Sequence, residues 1–184
     1  LETIKVIART MPDYVEALYN VAGIYHKLKQ YDESIDSYKN AIALRPKYAE
    51  AYNNLGSVYL EISNYEEAIK SYKNALLIKP DYIEANYSLA IALQDQGDTE
   101  EMINQLKKVL EIQPDLDEAH YRIGLGFQNL GEQEKAIKYY QRSIEINPNF
   151  CLNNKKVIFF MRSNFYLRNA IRGLIAECIV KKMF

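Results

Sequence analysis

The stretch PKYAEAYNNLGSVY, residues 46–59, returns in related form three more times along this chain of 184 residues. The related stretches begin at Pro12, Pro80 and Pro114, and a fifth proline, Pro148, keeps the same phase. Successive prolines are always 34 residues apart. A fixed period of this length is typical of a repeat architecture, in which each repeat is one supersecondary unit. The sequence therefore predicts stacked repeats rather than one irregular core.

The proline phase also sets the expected domain organisation. The repeat spans are 15–48, 49–82, 83–116 and 117–150, with a partial repeat at 1–14. Residues 151–184 make one further repeat length, which we expect to be a degenerate repeat or a pair of capping helices. Because the chain begins inside what should be the second helix of a repeat, we expect it to be a fragment of a longer solenoid.

Each repeat contains two helical patterns. In the first, apolar side chains such as Ala51, Leu55 and Val58 recur at three- and four-residue steps, which places them on one helical face. The same period restarts at Tyr65, and Pro80 ends the second helix because the residue before a proline is pushed out of helical geometry. The pattern predicts an all-α fold of helix-turn-helix hairpins, with no strand.

One place in the first helix of every repeat holds a small residue. The residues at this place are Ala22, Gly56, Ala90 and Gly124. Without a bulky side chain there, two helices can approach closely and bury their larger apolar neighbours. A single hairpin cannot bury its apolar face alone, so neighbouring hairpins must stack into a solenoid.

The order of these residues resembles the tetratricopeptide repeat (TPR). The residues that carry the resemblance in the second repeat are Leu55, Gly56, Tyr59, Tyr65, Ala68, Tyr72, Ala75 and Pro80. The resemblance implies a right-handed α-solenoid. It also implies a non-catalytic scaffold that binds a peptide or protein segment in a concave groove lined mainly by the first helices.

By this resemblance, two rows of polar side chains lie along the groove. The expected peptide-binding residues are Tyr19, Asn20, Asn53, Asn54, Tyr87, Ser88, Tyr121, Arg122, Glu84 and Glu118. An asparagine offers both a donor and an acceptor, so it can hold an extended peptide backbone without reading the side chains. The other interpretation is that these are solvated surface residues.

The Asn20 and Asn54 pair is similar to the asparagine ladder in the TPR region of O-GlcNAc transferases and to bacterial TPR proteins. The ladder stops at Ser88 and Arg122, so the likeness is partial. It leaves a second function open, in which the chain is the substrate-recruiting arm of a larger enzyme such as a glycosyltransferase. The catalytic domain would then lie outside this chain.

Charge is unevenly distributed. The net charge of −1 combines an acidic segment at 1–150, with 16 basic and 23 acidic residues, and a basic segment at 151–184. An acidic solenoid would repel phosphates, so we expect no nucleic acid along the repeats. Neutral or basic peptide segments are favoured instead. The basic tail leaves membrane-surface or nucleic-acid contact open as a less favoured alternative.

Motifs for catalysis or cofactor binding are missing from the sequence. His26 and His120 lie far apart without metal-ligand spacing, and we expect His120 to be a packing residue. Cys151 and Cys178 form no CxxC pair and are interpreted as free thiols in a reducing compartment. The sequence therefore predicts no enzymatic activity and no cofactor. Because no signal peptide or transmembrane pattern is visible, a cytoplasmic location is the default expectation.

Overall fold

A computed structural model describes residues 12–147, and within this range the chain forms eight helices and no strand. The helices are α1 (Pro12–Lys27), α2 (Tyr31–Leu44), α3 (Ala49–Glu61), α4 (Tyr65–Ile78), α5 (Ile83–Gln96), α6 (Thr99–Ile112), α7 (Asp117–Asn129) and α8 (Gln133–Ile146). The all-α fold class predicted from the sequence is confirmed. The predictions for residues 1–11 and for the tail beyond residue 147 lie outside the described residues.

The chain divides into two compact units, Leu1–Asp98 and Thr99–Phe184. In the first unit, α1 packs on α2 and α3 packs on α4, and α5 packs on α4 and α3. In the second unit, α6 packs on α7, and α7 packs on α8. Consecutive antiparallel hairpins of this kind are the units of an α-solenoid.

The turn inside each hairpin has the same backbone geometry. Lys29, Ser63, Gly97 and Gly131 occupy one place, 34 residues apart, and all have positive φ, from 60° to 95°. In the second repeat the Asn64 amide donates to the Tyr59 carbonyl at 2.9 Å, and the Ser63 amide donates to the Leu60 carbonyl at 2.9 Å. This pairing is the Schellman motif, which satisfies the last carbonyls of the first helix. The sequence fills a left-handed position with glycine in only two of its four turns.

The small-residue place is where a tyrosine of the second helix meets the first. A Cβ built on Gly56 would lie 2.7 Å from the ring of Tyr72, and a Cβ on Gly124 would lie 2.7 Å from the ring of Tyr140. Tyr72 and Tyr140 are fully buried. The glycines therefore make room for the largest side chains of the core, which explains the predicted close approach of the helices.

The junctions between repeats use a polar side chain that reaches back to the proline carbonyl. Asn86 Nδ2 donates to the Pro80 carbonyl at 3.0 Å, and His120 Nε2 lies 2.9 Å from the Pro114 carbonyl. Asn86 and His120 occupy the same repeat place. His120 also packs beside the ring of Tyr139, with centroids 5.9 Å apart. His120 therefore packs as predicted, and it also forms a hydrogen bond that ties α7 to the Pro114 carbonyl at the start of the junction.

Candidate peptide-binding surface

Three tyrosine rings from the first repeat meet at the junction with the second. The ring of Tyr19 lies edge-on to Tyr38, with centroids 5.8 Å apart and an interplanar angle of 64°, and lies 5.0 Å from Tyr48. Tyr38 is buried, whereas Tyr19 is partly exposed. Aromatic pairs in such geometries add stability beyond the area that they bury. Tyr19 is thus held in place by its neighbours rather than free to move in solvent.

Asn54 of α3 reaches this cluster from the next repeat. Its Nδ2 donates to the Tyr19 hydroxyl at 2.8 Å, and its side chain also hydrogen-bonds Tyr38. Burial raises the pKa of Tyr38, and the hydrogen bond from Asn54 partly offsets that shift. Asn54 is partly exposed, so one edge of its amide faces outward.

Asn53, beside Asn54, is buried, with 8% of its surface exposed. Its Nδ2 donates to Asn54 Oδ1 at 3.2 Å, but its own Oδ1 has no hydrogen-bond partner. A buried acceptor without a partner is rare and costs free energy. The Asn53–Asn54 amide pair therefore leaves one buried acceptor, Asn53 Oδ1, without a donor.

A cavity of about 320 Å³ opens beside this amide pair. Its lining residues are Tyr19, Asn20, Gly23, Ile24, Lys27, Tyr38 and Asn54. A Cβ added to Gly23 would meet only the Tyr38 hydroxyl, at 3.6 Å. The same place in the second repeat holds Ser57, whose Oγ accepts a hydrogen bond from Tyr72 at 3.2 Å. The missing side chain at Gly23 therefore leaves space in the first repeat that Ser57 occupies in the second.

Ser88 lies in the corresponding cluster of the next repeat. The Tyr72 hydroxyl contacts both Ser57 and Ser88, whose hydrogen bonds oppose the rise that burial causes in the Tyr72 pKa. Ser88 thus hydrogen-bonds the hydroxyl of Tyr72 in the same way that Asn54 hydrogen-bonds the hydroxyl of Tyr38. The predicted row of Asn20, Asn54, Ser88 and Arg122 is one repeat place. Two of its members, Asn54 and Ser88, each contact a tyrosine of the preceding second helix.

Glu16 and the predicted site residues Glu84 and Glu118 occupy one repeat place, but their surroundings differ. Glu16 accepts hydrogen bonds from Arg45 at 2.5 Å and from the Tyr48 hydroxyl at 2.6 Å, and these hold its pKa below the ordinary value of 4.5. Glu84 is exposed. Burial, followed by the negative charges of Glu50 and Glu84, raises the pKa of Tyr82 to about 12. Glu50 and Glu84 thus add negative charge near Tyr82, where the Lys79 ammonium also lies 4.6 Å from the ring centroid.

In the second unit, the predicted site residues form local pairs. Arg122 Nε lies 2.9 Å from Glu118 Oε1, one helical turn away. The ring of Tyr121 lies 5.9 Å from the ring of Tyr140. Glu118 and Arg122 thus largely neutralise each other, whereas the predicted site residues of the first unit include no basic side chain.

The sequence interpretation missed the contribution of the second helices. Tyr38 and Tyr72 are buried side chains of the second helices, yet their hydroxyls reach Asn54 and Ser88. Each pair is separated by 16 residues in the chain, so the repeat phase contained a signal for it. No comparable sequence signal marks Gly23 and Lys27 as lining residues of the cavity. A cavity left by a missing side chain depends on how the surrounding side chains pack.

Metal-binding clusters and membrane-spanning helices are both absent from the described residues. No group of three or more His, Cys, Asp or Glu side chains within residues 12–147 is arranged to hold a metal ion. Among the helices of that same range, none combines the length and the apolar character needed to cross a membrane.

Family models for the tetratricopeptide repeat match most of the chain. A TPR repeat model matches residues 22–63, and tetratricopeptide repeat models match 49–82, 83–116 and 117–150. The chain therefore belongs to the tetratricopeptide repeat family. The class that this fold and surface define is a protein-interaction scaffold, since stacked helical hairpins present extended binding surfaces.

Solved structures of MamA are similar to this chain. One MamA crystal structure has 26% sequence identity and a TM-score of 0.72, covering 80% of this chain and 86% of that one. A second, of MamA protein, has 26% identity and a TM-score of 0.70, covering 80% of each chain. Among curated proteins, no sequence matches the chain. These neighbours support the all-α repeat fold.

Proposed function

We propose that the chain is a non-catalytic interaction scaffold that binds an extended peptide or protein segment at the surface formed by Tyr19, Asn20 and Asn54. We call this surface the Asn face. The observation that carries the proposal is the cavity of about 320 Å³ on this surface, bordered by the two asparagines and two tyrosines. Ligand pockets begin at about this size, with a few polar groups that fix the ligand's orientation.

The chemistry of the Asn face suits a peptide backbone. Asn20 is exposed, and each asparagine side chain offers both a donor and an acceptor that match an amide group. The tyrosine rings and Ile24 supply apolar walls for one peptide side chain.

Charge suggests which peptides are favoured. Glu50 and Glu84 lie close enough to Tyr82 to raise its pKa, so a basic residue in that part of a bound segment would be attracted. A neutral segment remains acceptable, because backbone contacts do not depend on side-chain charge. Nucleic acid is not favoured at this surface, since phosphates would be repelled.

The test begins with selection of peptides from a random library on the full chain, followed by titration of the selected peptides. Gly23→Ser should narrow the cavity beside the Tyr38 hydroxyl and weaken binding by about tenfold, because the added side chain takes space that the peptide would use. Ser57→Gly, at the same place of the second repeat, is the matched control and should change the affinity much less. Peptides that bind both variants like the wild type would show that the cavity is not their site.

A further inference from the structure

The Tyr38 hydroxyl differs from its counterpart in the next repeat. In the second repeat, the Tyr72 hydroxyl donates to Ser57 Oγ at 3.2 Å. Gly23 occupies the place of Ser57 in the first repeat, and it has no side chain that could accept a hydrogen bond. No residue within 12–147 accepts the hydroxyl proton of Tyr38, although only 1% of this residue is exposed. Because Tyr38 borders the cavity, a ligand that accepts hydrogen bonds can reach its hydroxyl.

A second type of acceptor found at this tyrosine place is also missing from the first repeat. In the fourth repeat, the Tyr140 hydroxyl donates to Gln128 Oε1 at 2.7 Å. The place of Gln128 holds His26 in the first repeat, and His26 Nε2 lies 2.9 Å from Glu61 Oε1. Neither side-chain acceptor used in the later repeats is therefore offered to Tyr38.

Asn54 presents its donor group to both tyrosines of the cavity. Its Nδ2 donates to the Tyr19 hydroxyl at 2.8 Å, while its Oδ1 accepts from Asn53 at 3.2 Å. Burial raises the pKa of Tyr38 and the Asn54 hydrogen bond lowers it, which is the effect of a bond that the phenol oxygen accepts. A hydroxyl that accepts a hydrogen bond still has its own proton to donate. Tyr19 and Tyr38 therefore bring two donors to the cavity.

Lys27 adds a positive charge at the border of the cavity. It is exposed, and among the described lining residues it alone has a charged side chain. No carboxylate within residues 12–147 forms an ion pair with it. The corresponding places of the later repeats hold Glu61, Asp95 and Asn129, so a cation at this place distinguishes the first repeat.

A carboxylate matches this set of donors. When ionised it only accepts hydrogen bonds, through two oxygens, and its charge is opposite to that of Lys27. An ammonium or guanidinium group would be repelled by Lys27 and has no acceptor for the phenol protons. A phosphoryl group carries more charge and is recognised in proteins by clusters of cations, whereas a single lysine lines the described part of this cavity.

Spacing along α1 separates the expected backbone contacts from this charge. Asn20 and Lys27 are seven residues apart, which corresponds to about 10 Å along the helix. Ile24 lies between them, is 57% exposed, and offers an apolar surface to the methylene groups of a side chain. A segment held at Asn20 and Asn54 can therefore direct one acidic side chain over Ile24 towards Lys27.

We propose that the cavity beside Gly23 binds an aspartate or glutamate side chain of the peptide, and that Lys27 determines this preference. The inference rests on the proposed function and deepens it, because it names one residue class of the bound segment. Glu50 and Glu84 lie in the first turns of α3 and α5, whereas Lys27 lies in the last turn of α1. An acidic and a basic residue of one segment are thus bound at different places of the surface.

Matched peptide libraries test the preference on the full chain. Three random libraries with amidated C-termini differ only in one fixed central residue, which is glutamate, glutamine or lysine. The wild-type chain should retain the glutamate library best. In titrations of a selected peptide, replacing that glutamate by glutamine should weaken binding by about three- to fivefold. Amidation removes the terminal carboxylate, so the measured effect belongs to the fixed side chain.

Charge exchange tests whether Lys27 is responsible. Lys27→Glu should weaken binding of the glutamate peptide by about tenfold and should strengthen binding of the peptide with lysine at that position. Both effects should shrink as salt is added. Lys29→Glu is the matched control, because Lys29 is exposed and carries the same charge but does not line the cavity. It should change both affinities by less than about twofold.

The Tyr38 hydroxyl allows a second measurement. Tyr38→Phe removes one donor, so the glutamate and glutamine peptides should then bind within about twofold of each other. Tyr72→Phe is the matched control at the same place of the second repeat and should leave the preference for glutamate unchanged. Because two peptides are compared on the same variant, a loss of stability alone would not change this ratio.

The outcomes distinguish this inference from the proposed function. Peptides that lose affinity on Gly23→Ser but bind equally well in their glutamate and glutamine forms would overturn the inference and leave the proposed function in place. An equal loss for both forms on Lys27→Glu would also overturn it. Peptides that are insensitive to Gly23→Ser, or libraries that yield no binding peptide, would contradict the inference and the proposed function together.

Discussion

Asn54 Nδ2 donates a hydrogen bond to the hydroxyl of Tyr19 at 2.8 Å, and this bond joins the first helices of successive repeats. The same asparagine contacts Tyr38, so it helps to hold the repeats together as well as bordering the cavity. Asn20, one repeat earlier, is exposed and borders the same cavity. For substitutions at this surface, both the binding affinity and the free energy of unfolding must therefore be measured.

Glycine-to-alanine substitutions at two neighbouring repeat places should have opposite effects. Gly56→Ala should lower the free energy of unfolding by about 1–3 kcal/mol, and Gly56→Leu by at least as much, because a Cβ would lie 2.7 Å from the buried Tyr72 ring. Gly23→Ala is the matched control and should raise the free energy of unfolding by about 0.5–1 kcal/mol. Alanine restricts the helical backbone more than glycine does, and there is space for its Cβ at this position. Chemical denaturation measures both. No loss in Gly56→Ala would mean that the tyrosine can move away.

The hairpin turns offer a test of backbone strain. Gly97→Ala and Gly131→Ala should each destabilise the chain by about 1 kcal/mol, because these glycines have φ of 95° and 77°. Neither position has an atom within 4 Å of an added Cβ, so sterics would not contribute. Lys29→Ala is the control and should change stability by less than about 0.5 kcal/mol, since a side chain is already present at that turn. Equal effects at all three positions would argue against the strain.

Glu16 should make stability depend on pH. Its hydrogen bonds from Tyr48 and Arg45 lower its folded pKa, so its contribution is present above the ordinary value of 4.5 and is lost as pH falls through the folded pKa. Because the side chain is 48% exposed, Glu16→Gln should cost only a few tenths to about 1 kcal/mol at neutral pH. That difference should disappear in denaturation experiments in acid, well below pH 4.5. Glu50→Gln, at the same place of the next repeat, is the control. A cost that persists in acid would mean that packing, not charge, holds Glu16.

The repeat phase explains how much the sequence could predict. Pro46 and Pro80 placed the ends of α2 and α4 correctly, because a proline restricts the residue before it. Gly56 was predicted at a close helix contact, because its repeat place holds only small residues. The backbone geometry at a proline and the side-chain size at a close contact are each set by a single residue. Both can therefore be predicted from the sequence alone.

Other features could not be found in this way. The left-handed conformation of Lys29 and Ser63 is not evident from residues that usually avoid positive φ. The ion pair between Glu118 and Arg122 was overlooked because each residue was assigned to a separate row, although they are four apart on one helix. The cavity beside Gly23 depends on how Tyr38 packs, and the spacing of residues in the sequence does not predict that packing.

Charge reversal at Glu84 should change which peptides bind. Glu84→Lys should weaken binding of basic peptides and spare neutral ones, because the negative potential near Tyr82 would be reduced. The effect should shrink as salt is added, since Glu84 is exposed and its field is screened. Titrations of a basic and a neutral peptide at two salt concentrations measure this. An equal loss for both peptides would indicate a structural effect instead.

The most direct test of the account is the affinity of selected peptides for the chain carrying both Asn20→Ala and Asn54→Ala. Each lost hydrogen bond is worth about 0.5–1.5 kcal/mol, so the pair should weaken binding by about five- to a hundredfold. The loss should be similar for peptides of different sequence, because backbone contacts do not read side chains, and circular dichroism should show that the helices remain. If the double variant binds every peptide like the wild type, the Asn face is not the binding surface and the proposed function is contradicted.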